Sequence, residues 1–405
     1  MRGLIRRCLS LAFCAAALGL GCLTYLYTQL PGTFMVPQGQ TLKLAQMPWL
    51  VPRQQGGAAA AQAVPAGGSY NVTLSVLGRL PVKTVRAVVV DRRAVTVCGT
   101  PFGIKMFSNG AMVVAFTDIR TGGGMANPAK EAGLKMGDVI VSIGGHTTVD
   151  NDDVSAAIQQ AEGRPVELVY RRGGEQLTAR LQPVQDADTG VWRAGMWVRD
   201  SSAGIGTLTF VDNATGIYGG LGHSISDSDT GQSIALLSGE VAPVTITGYV
   251  MGAAGAPGEL KGRFTGEIAM GDILLNGATG VYGSIRGVQA GQDMVVAQAQ
   301  EVLEGPARIY TTIRDRQPMW YDAVIERVSL NEEDPNRNMV LRITDPDLLA
   351  ATGGIVQGMS GSPIVQNDRL VGAVTHVLVN DPTRGFGIFA ENMLASADAA
   401  AQKAA

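Results

Sequence analysis

From residue 187 to the C-terminus, short alternating apolar runs recur between glycine-rich turns. They are Gly204–Phe210, Ile234–Leu237, Val244–Tyr249, Gly280–Ile285, Ala307–Thr312, Met339–Ile343 and Gly372–Val379. Side chains alternate between the two faces of a strand, so this rhythm predicts an all-β barrel or sandwich. Helical periodicity appears only after Phe389. The composition agrees: with 53 glycines in 405 residues, 5% aromatic and 17% charged residues, β-rich domains with tight turns fit better than helical bundles. The length allows two or three domains. A formal net charge of −3, with no basic patch interleaved with aromatics, argues against nucleic acid as the main partner.

The N-terminus bears on the compartment. Arg2, Arg6 and Arg7 precede an apolar run from Cys8 to Tyr27. That length predicts a transmembrane anchor over 8–27, its basic flank in the cytoplasm and the rest of the chain outside. A cleaved signal peptide is the rival reading. Three of the four cysteines, Cys8, Cys14 and Cys22, lie in this run. Cys98 alone lies beyond it, which excludes an intrachain disulfide or a cysteine metal site there. It follows Val-Thr-Val and reads as a buried small apolar residue. Residues 28–98 read as a linker followed by a β-rich region. The stretch 28–68 is polar and rich in Gly, Ala and Gln. Strand-like alternation starts at Tyr70 and continues to Val97.

Residues 99–185 form a compact unit. Strand-like runs occur at Ala111–Phe116, Val139–Ile143 and Val166–Tyr170. Two helix signals lie between them. Asn127-Pro128-Ala129-Lys130-Glu131-Ala132-Gly133-Leu134 has proline at its start and glycine near its end. Asp150–Ala161 has an acidic start and puts Val154, Ala157 and Ile158 on one face. With Gly137-Asp138-Val139-Ile140 and Ile143-Gly144-Gly145, these residues resemble a PDZ domain of the bacterial protease-associated type. The resemblance implies a loop of the pattern x-apolar-Gly-apolar that binds a peptide carboxylate through backbone N–H groups. Phe102, Gly103 and Ile104, after Pro101, occupy that place. A tight strand entry is the other reading of the same residues.

The chemistry-bearing segment is Gly353–Ile364, centred on Gly358-Met359-Ser360-Gly361-Ser362-Pro363. A serine nucleophile needs an unobstructed Oγ and nearby backbone N–H groups to receive an oxyanion. A Gly/Ser turn between strands is the plain alternative. The serine also needs a base, and the chain has three histidines. His223 lies in a run of small residues, Gly219-Gly220-Leu221-Gly222-His223-Ser224, followed by polar ones, and is the preferred base. His146 reads as a solvated turn residue, and His376 sits mid-strand with no clear assignment. Asp345 follows an apolar strand and precedes Pro346, 15 residues before Ser360. Asp227, Asp229 and Asp272 are further candidates for the acid, and a solvated turn aspartate is the plain reading of each.

Gly222-His223-Ser224-Ile225-Ser226-Asp227, Ile343-Thr344-Asp345-Pro346 and Gly354-Ile355-Val356-Gln357-Gly358-Met359-Ser360-Gly361-Ser362-Pro363 resemble the SpoIVB peptidase family of PDZ-containing serine endopeptidases. The resemblance runs over most of the chain apart from 28–68. It implies a chymotrypsin-like double β-barrel over 187–405, in a mainly β protein with an N-terminal transmembrane helix. It also implies Ser360 as nucleophile, His223 as base, Asp345 as orienting acid, and the N–H groups of Gly358 and Ser360 as oxyanion donors. No cofactor is implied. The implied role is that of a regulatory endopeptidase between the two membranes of an endospore-forming bacterium. It would cut its own N-terminal segment and a membrane-bound regulator of an intramembrane metalloprotease that processes pro-sigma-K. A non-catalytic, membrane-tethered PDZ and β-domain scaffold for peptides is the competing class.

Overall fold

The computed structural model describes every residue except 1, 55, 228–229, 232–235, 267, 288–290 and 405; for 2–10 and 12 it describes the backbone alone. Helix α1 spans Arg2–Gln29. Among the described residues, no helix is long and apolar enough to cross a membrane, which corrects the anchor expected over 8–27. Glycine, serine, threonine and tyrosine interrupt the leucines of that run. Thr24 and Thr28 fold their hydroxyls back onto the carbonyls of Leu20 and Tyr25.

The segment expected as a linker is instead part of a small β unit. Strands β1 (Thr33–Pro37), β2 (Leu50–Gln54), β3 (Ser69–Val76) and β4 (Leu80–Val90) pair in the order β1-β4-β3-β2. Leu30, Phe34, Val36, Leu42, Leu44 and Leu50 pack with Val72, Leu74, Val85 and Ala87 into its core. The apolar residues of 28–50 are sparse, but burying each of these side chains contributes about 1.5–3 kcal/mol, enough to order the segment.

Two closed rings of strands follow. The first comprises β5 (Pro101–Phe116), β6 (Met196–Asp212), β7 (Ile217–Gly220), β8 (Leu236–Val250), β9 (Gly271–Gly277) and β10 (Gly280–Ile285). They pair around the ring as β5-β6-β7-β10-β9-β8 and back to β5. The second comprises β11 (Gly305–Thr311), β12 (Met319–Val328), β13 (Met339–Ile343), β14 (Pro363–Gln366), β15 (Arg369–Leu378) and β16 (Asp381–Phe389). It closes as β11-β12-β13-β16-β15-β14. Each ring has its own apolar filling: Phe102, Ile104, Met106, Leu208 and Tyr218 in the first, and Ile309, Met339, Leu341, Ile364 and Phe389 in the second. Closure leaves these sheets without edges, as the glycine-punctuated rhythm allows. The run Ile234–Leu237 lies partly outside the described residues.

The PDZ unit is an insertion in the first barrel. The N-terminal half of β5 and the C-terminal half of β6 are barrel strands. Their other halves pair as a ribbon that reaches into the insertion, where Met196 lies opposite Phe116 and Arg199 opposite Met112. The strand Val139–Ile143 adds to the same ribbon and pairs with Val166–Arg172. Helix α2 (Asn151–Ala161) begins with a capping box, in which Asp150 and Asp153 each accept the other's backbone N–H. Val154 and Ile158 turn its apolar face onto Ile140, Ile143 and Leu168.

Phe102, Gly103 and Ile104 do not form a carboxylate loop. They lie mid-strand in the first barrel, opposite Gly206, Ile205 and Gly204 on one side and Pro243, Ala242 and Val241 on the other. Both edges are paired, so no backbone edge remains for a peptide. Phe102 and Ile104 are buried, and a Cβ on Gly103 would meet Phe264 Cε1 at 2.2 Å and Val244 Cγ2 at 2.7 Å. Gly103→Val should therefore destabilise the barrel by about 1–3 kcal/mol through overpacking, read as a lower denaturant midpoint. An unchanged midpoint would restore the loop reading.

Candidate active site

The two barrels meet at a cleft of about 650 Å³ lined by Leu221, His223, Ser224, Ile225, Gly358, Ser360, Thr375 and His376. The first barrel supplies the histidine. Strand β7 ends at Gly220, and the chain then turns through left-handed backbone at Leu221 and Gly222, with φ of 66° and 72°. That conformation is costly for leucine, and such strain persists only where the surroundings hold it. Leu221 is buried, and its N–H donates to the Thr207 carbonyl.

The second barrel supplies the serine. Its loop is tied to β6 of the first barrel. The Thr207 N–H donates to the Ser360 carbonyl at 2.9 Å, the Thr207 hydroxyl to the Gly358 carbonyl at 2.9 Å, and the Thr209 hydroxyl to the Gly361 carbonyl at 2.7 Å. The approach is close enough to require glycine at 361. A Cβ there would lie 2.0 Å from the Thr207 carbonyl oxygen, and its φ is 93°. Met359 is buried in the second core, and Ser362 is buried too, its hydroxyl donating to the Met359 carbonyl and hydrogen-bonded with the Thr311 hydroxyl. Ser362 is therefore structural, and Ser360 is the serine that faces the cleft.

The Ser360 hydroxyl donates to the Thr375 carbonyl at 2.7 Å. Among the described residues, neither the Gly358 N–H nor the Ser360 N–H donates to any protein acceptor. Two unspent donors flanking a serine at a cleft form the arrangement that receives an oxyanion.

His223 Nδ1 lies 2.8 Å from the Ser224 carbonyl oxygen. A carbonyl only accepts, so Nδ1 carries the proton and Nε2 keeps its lone pair. Burial pushes the imidazole below its ordinary range, an effect the Ser224 carbonyl partly offsets. At neutral pH the ring is an unprotonated base.

The structure does not bring Asp345 to this pair. It caps the helix Pro346–Thr352, accepting the N–H groups of Asp347 and Leu348 at 3.0 Å each, while its other oxygen accepts the Asp322 N–H. The expected orienting acid is thus a helix cap, and a backbone carbonyl holds the histidine instead. The other candidates are also engaged elsewhere. Asp227 is buried against Arg199, Asp272 is half exposed beside Arg286, and Asp229 lies outside the described residues. His146 is exposed at a turn, as expected. Burial pushes the Cys98 thiol up to about 12, which leaves no thiolate to act as a nucleophile.

Sequence reasoning left His376 unassigned, and the structure places it in the cleft. Its ring lies over that of His223, with centroids 4.6 Å apart and 34° between the planes. Its buried Nδ1 has no protein partner among the described residues. Burial first, then His223 and Arg337, push its pKa down to about 4, against the pull of Asp334. The regular alternation of β15 is broken by a register shift between Val374 and Val377, so no local period announced that His376 would face the cleft.

A second groove of about 500 Å³ lies in the insertion. It runs between α2 and the first residues of β6, lined by Ile119, Met125, Val154, Ile158, Met196 and Trp197. Among the described residues, Met196–Arg199 pair with β5 on one side only, which leaves their other edge open toward α2. This edge is where an added strand would fit.

Residues 190–394, half of the chain, match the family described as SpoIVB peptidase S55, and residues 126–172 match the PDZ domain family. Curated relatives match over short stretches. Serine protease HTRA1 of Xenopus tropicalis is 50% identical over 56 residues, which cover 14% of this chain and 12% of that protein. A putative zinc metalloprotease of Clostridium perfringens is 34% identical over 70 residues, covering 17% of this chain and 21% of that protein. The chain thus spans at most about a fifth of the length of either relative. The solved PDZ domain of an SdrC-like protein from Listeria monocytogenes is 20% identical, with a TM-score of 0.19, and covers 22% of this chain and 87% of that one.

Two outcomes follow from the site. With His223 as the base, the acid limb of kcat/KM, measured with a small ester, should fall below the ordinary imidazole midpoint of about 6.5, because burial lowers the pKa of that ring. Activity is lost as the pH drops through that lowered value. Asp345→Ala should cost about 1 kcal/mol of stability by removing the cap, while the remaining folded protein keeps its turnover. Loss of turnover with stability intact would return Asp345 to the catalytic set.

Proposed function

The chain belongs to the SpoIVB peptidase S55 family and is a serine peptidase carrying a PDZ domain, and from that premise we propose that Ser360 is its nucleophile and His223 its general base. The reading rests on one observation above the others. The cleft between the barrels holds an accessible serine, a neutral histidine with Nε2 free, and two unspent N–H donors at Gly358 and Ser360. A non-catalytic scaffold has no use for all three together.

The steps follow from the contacts. The Ser360 hydroxyl turns from the Thr375 carbonyl toward the cleft and gives its proton to His223 Nε2 as Oγ attacks a peptide carbonyl. The carbonyl oxygen becomes an oxyanion held by the Gly358 and Ser360 N–H groups. His223 then passes the proton to the leaving amine, and water repeats the sequence to release the acyl group. The Ser224 carbonyl fixes the tautomer throughout. We also propose that a peptide segment adds to the open edge of Met196–Arg199 in the groove of the insertion. The candidates are a target protein and the chain's own N-terminal segment. The finer role remains the family's: self-cleavage, then cleavage of a membrane-bound regulator that frees an intramembrane metalloprotease to process pro-sigma-K during sporulation.

Ser360→Ala should abolish labelling by a fluorophosphonate and cleavage of any protein target, with an unchanged melting temperature. Persistent labelling at wild-type rate in that variant would defeat the assignment.

A further inference from the structure

We propose that Arg199, on the ribbon that carries the PDZ insertion, is a positioning residue for His223, so that the state of the insertion sets the reactivity of Ser360. The inference rests on the reading of Ser360 and His223 given above. It starts from the group that orients the histidine. A buried carboxylate would be fixed by its own strand, but here the orienting atom is the carbonyl oxygen of Ser224, in the loop that follows. The orientation of the ring is therefore only as good as the hold on that loop.

The loop is held from two sides. At Ile225 the barrel holds it: the Ile225 N–H donates to Asn276 Oδ1 at 2.8 Å, and Asn276 Nδ2 donates to the Ile225 carbonyl at 3.1 Å. At Asp227 the insertion holds it. Arg199 Nη1 donates to Asp227 Oδ2 at 2.7 Å, and the Asp227 side chain is 2% exposed. The other carboxylate oxygen gathers the Thr230 N–H at 2.9 Å and the Thr230 hydroxyl at 3.1 Å. Removing the guanidinium takes from this buried carboxylate the countercharge that Arg199 supplies, which favours opening of the loop to hydrate it.

Arg199 stands at the junction between barrel and insertion. Its neighbour Asp200 falls out of register: Arg199 lies opposite Met112, whereas Ser201 lies opposite Phe107. The Asp200 side chain accepts the Asn151 N–H at 3.2 Å, in the first turn of α2. Asn151 lines the groove of the insertion. The groove helix thus bears on Asp200, and the adjacent residue bears on the histidine loop. A displacement of α2 need pass through one backbone unit to reach Asp227.

The test uses the full chain and the second-order rate at which a fluorophosphonate labels Ser360, Oγ displacing fluoride at phosphorus. Among the described residues, the titratable and charged groups about the imidazole are His376 over the ring, and Arg337 and Asp334 beside His376. Arg199→Gln should slow labelling by at least about tenfold, since small misplacements at a reacting centre cost one to two orders of magnitude. The acid limb should rise toward about 6.5 as water reaches the ring. Arg199→Lys should recover most of the rate, and Asp200→Ala should slow labelling with the Arg199–Asp227 pair in place. Wild-type rate and acid limb in Arg199→Gln, or a loss no greater than the loss of folded protein, would overturn the inference. An unaffected Asp200→Ala would overturn the link to the groove. If the wild-type chain is not labelled at Ser360, the reading of the site fails first.

Discussion

Thr207 joins the two halves of the site. Its N–H and hydroxyl hold the carbonyls of Ser360 and Gly358, and its own carbonyl accepts the Leu221 N–H at the start of the histidine turn. One strand residue of the first barrel therefore sets both the Ser360 loop of the second barrel and the approach to His223. The contact tolerates no side chain at Gly361. It also uses the carbonyls of the loop while leaving the N–H groups of Gly358 and Ser360 unspent. Buried hydrogen bonds of this kind are costly to break singly, because the abandoned partner stays desolvated. The cleft is thus as rigid as the seam between the barrels.

Much of this was legible from local patterns. Glycine-punctuated alternation reports a β-barrel or sandwich because each short strand must turn back onto a neighbour; closure into rings rests on the pairings. The Gly-x-Ser-Gly string and the glycine-flanked His223 were legible because close backbone approach excludes other residues at those points. Asp345 was not, although its signal was present. An aspartate followed by Pro346 and Asp347 is the start of a helix: side-chain cap, proline at the first helical position, acid in the first turn. The same three residues suit an acid in a triad, and sequence spacing cannot separate the two. Phe102 and Ile104 were ambiguous in another way. A Phe-Gly-Ile string reads as a loop, yet Phe102, Ile104 and Met106 alternate inward as a strand.

The insertion was harder to place. A linear reading sets the PDZ unit before the peptidase. In space the peptidase starts first, runs through half of β5, and resumes in the second half of β6. Pairings between residues about a hundred or more positions apart leave no local trace. The consequence is physical: a domain joined by a flexible linker would move independently, whereas one carried on two continuous strands transmits displacement to the barrel that holds His223.

A carbonyl that orients a histidine does only part of what a carboxylate does. It fixes the tautomer, but it brings a partial charge rather than a full one to the imidazolium that forms during attack. Burial of His223 works against the same imidazolium. Both effects raise the demand on the oxyanion side, where the Gly358 and Ser360 N–H groups have no protein acceptor among the described residues. They also make the rate sensitive to the loop of Ser224, since little else stabilises the charged ring.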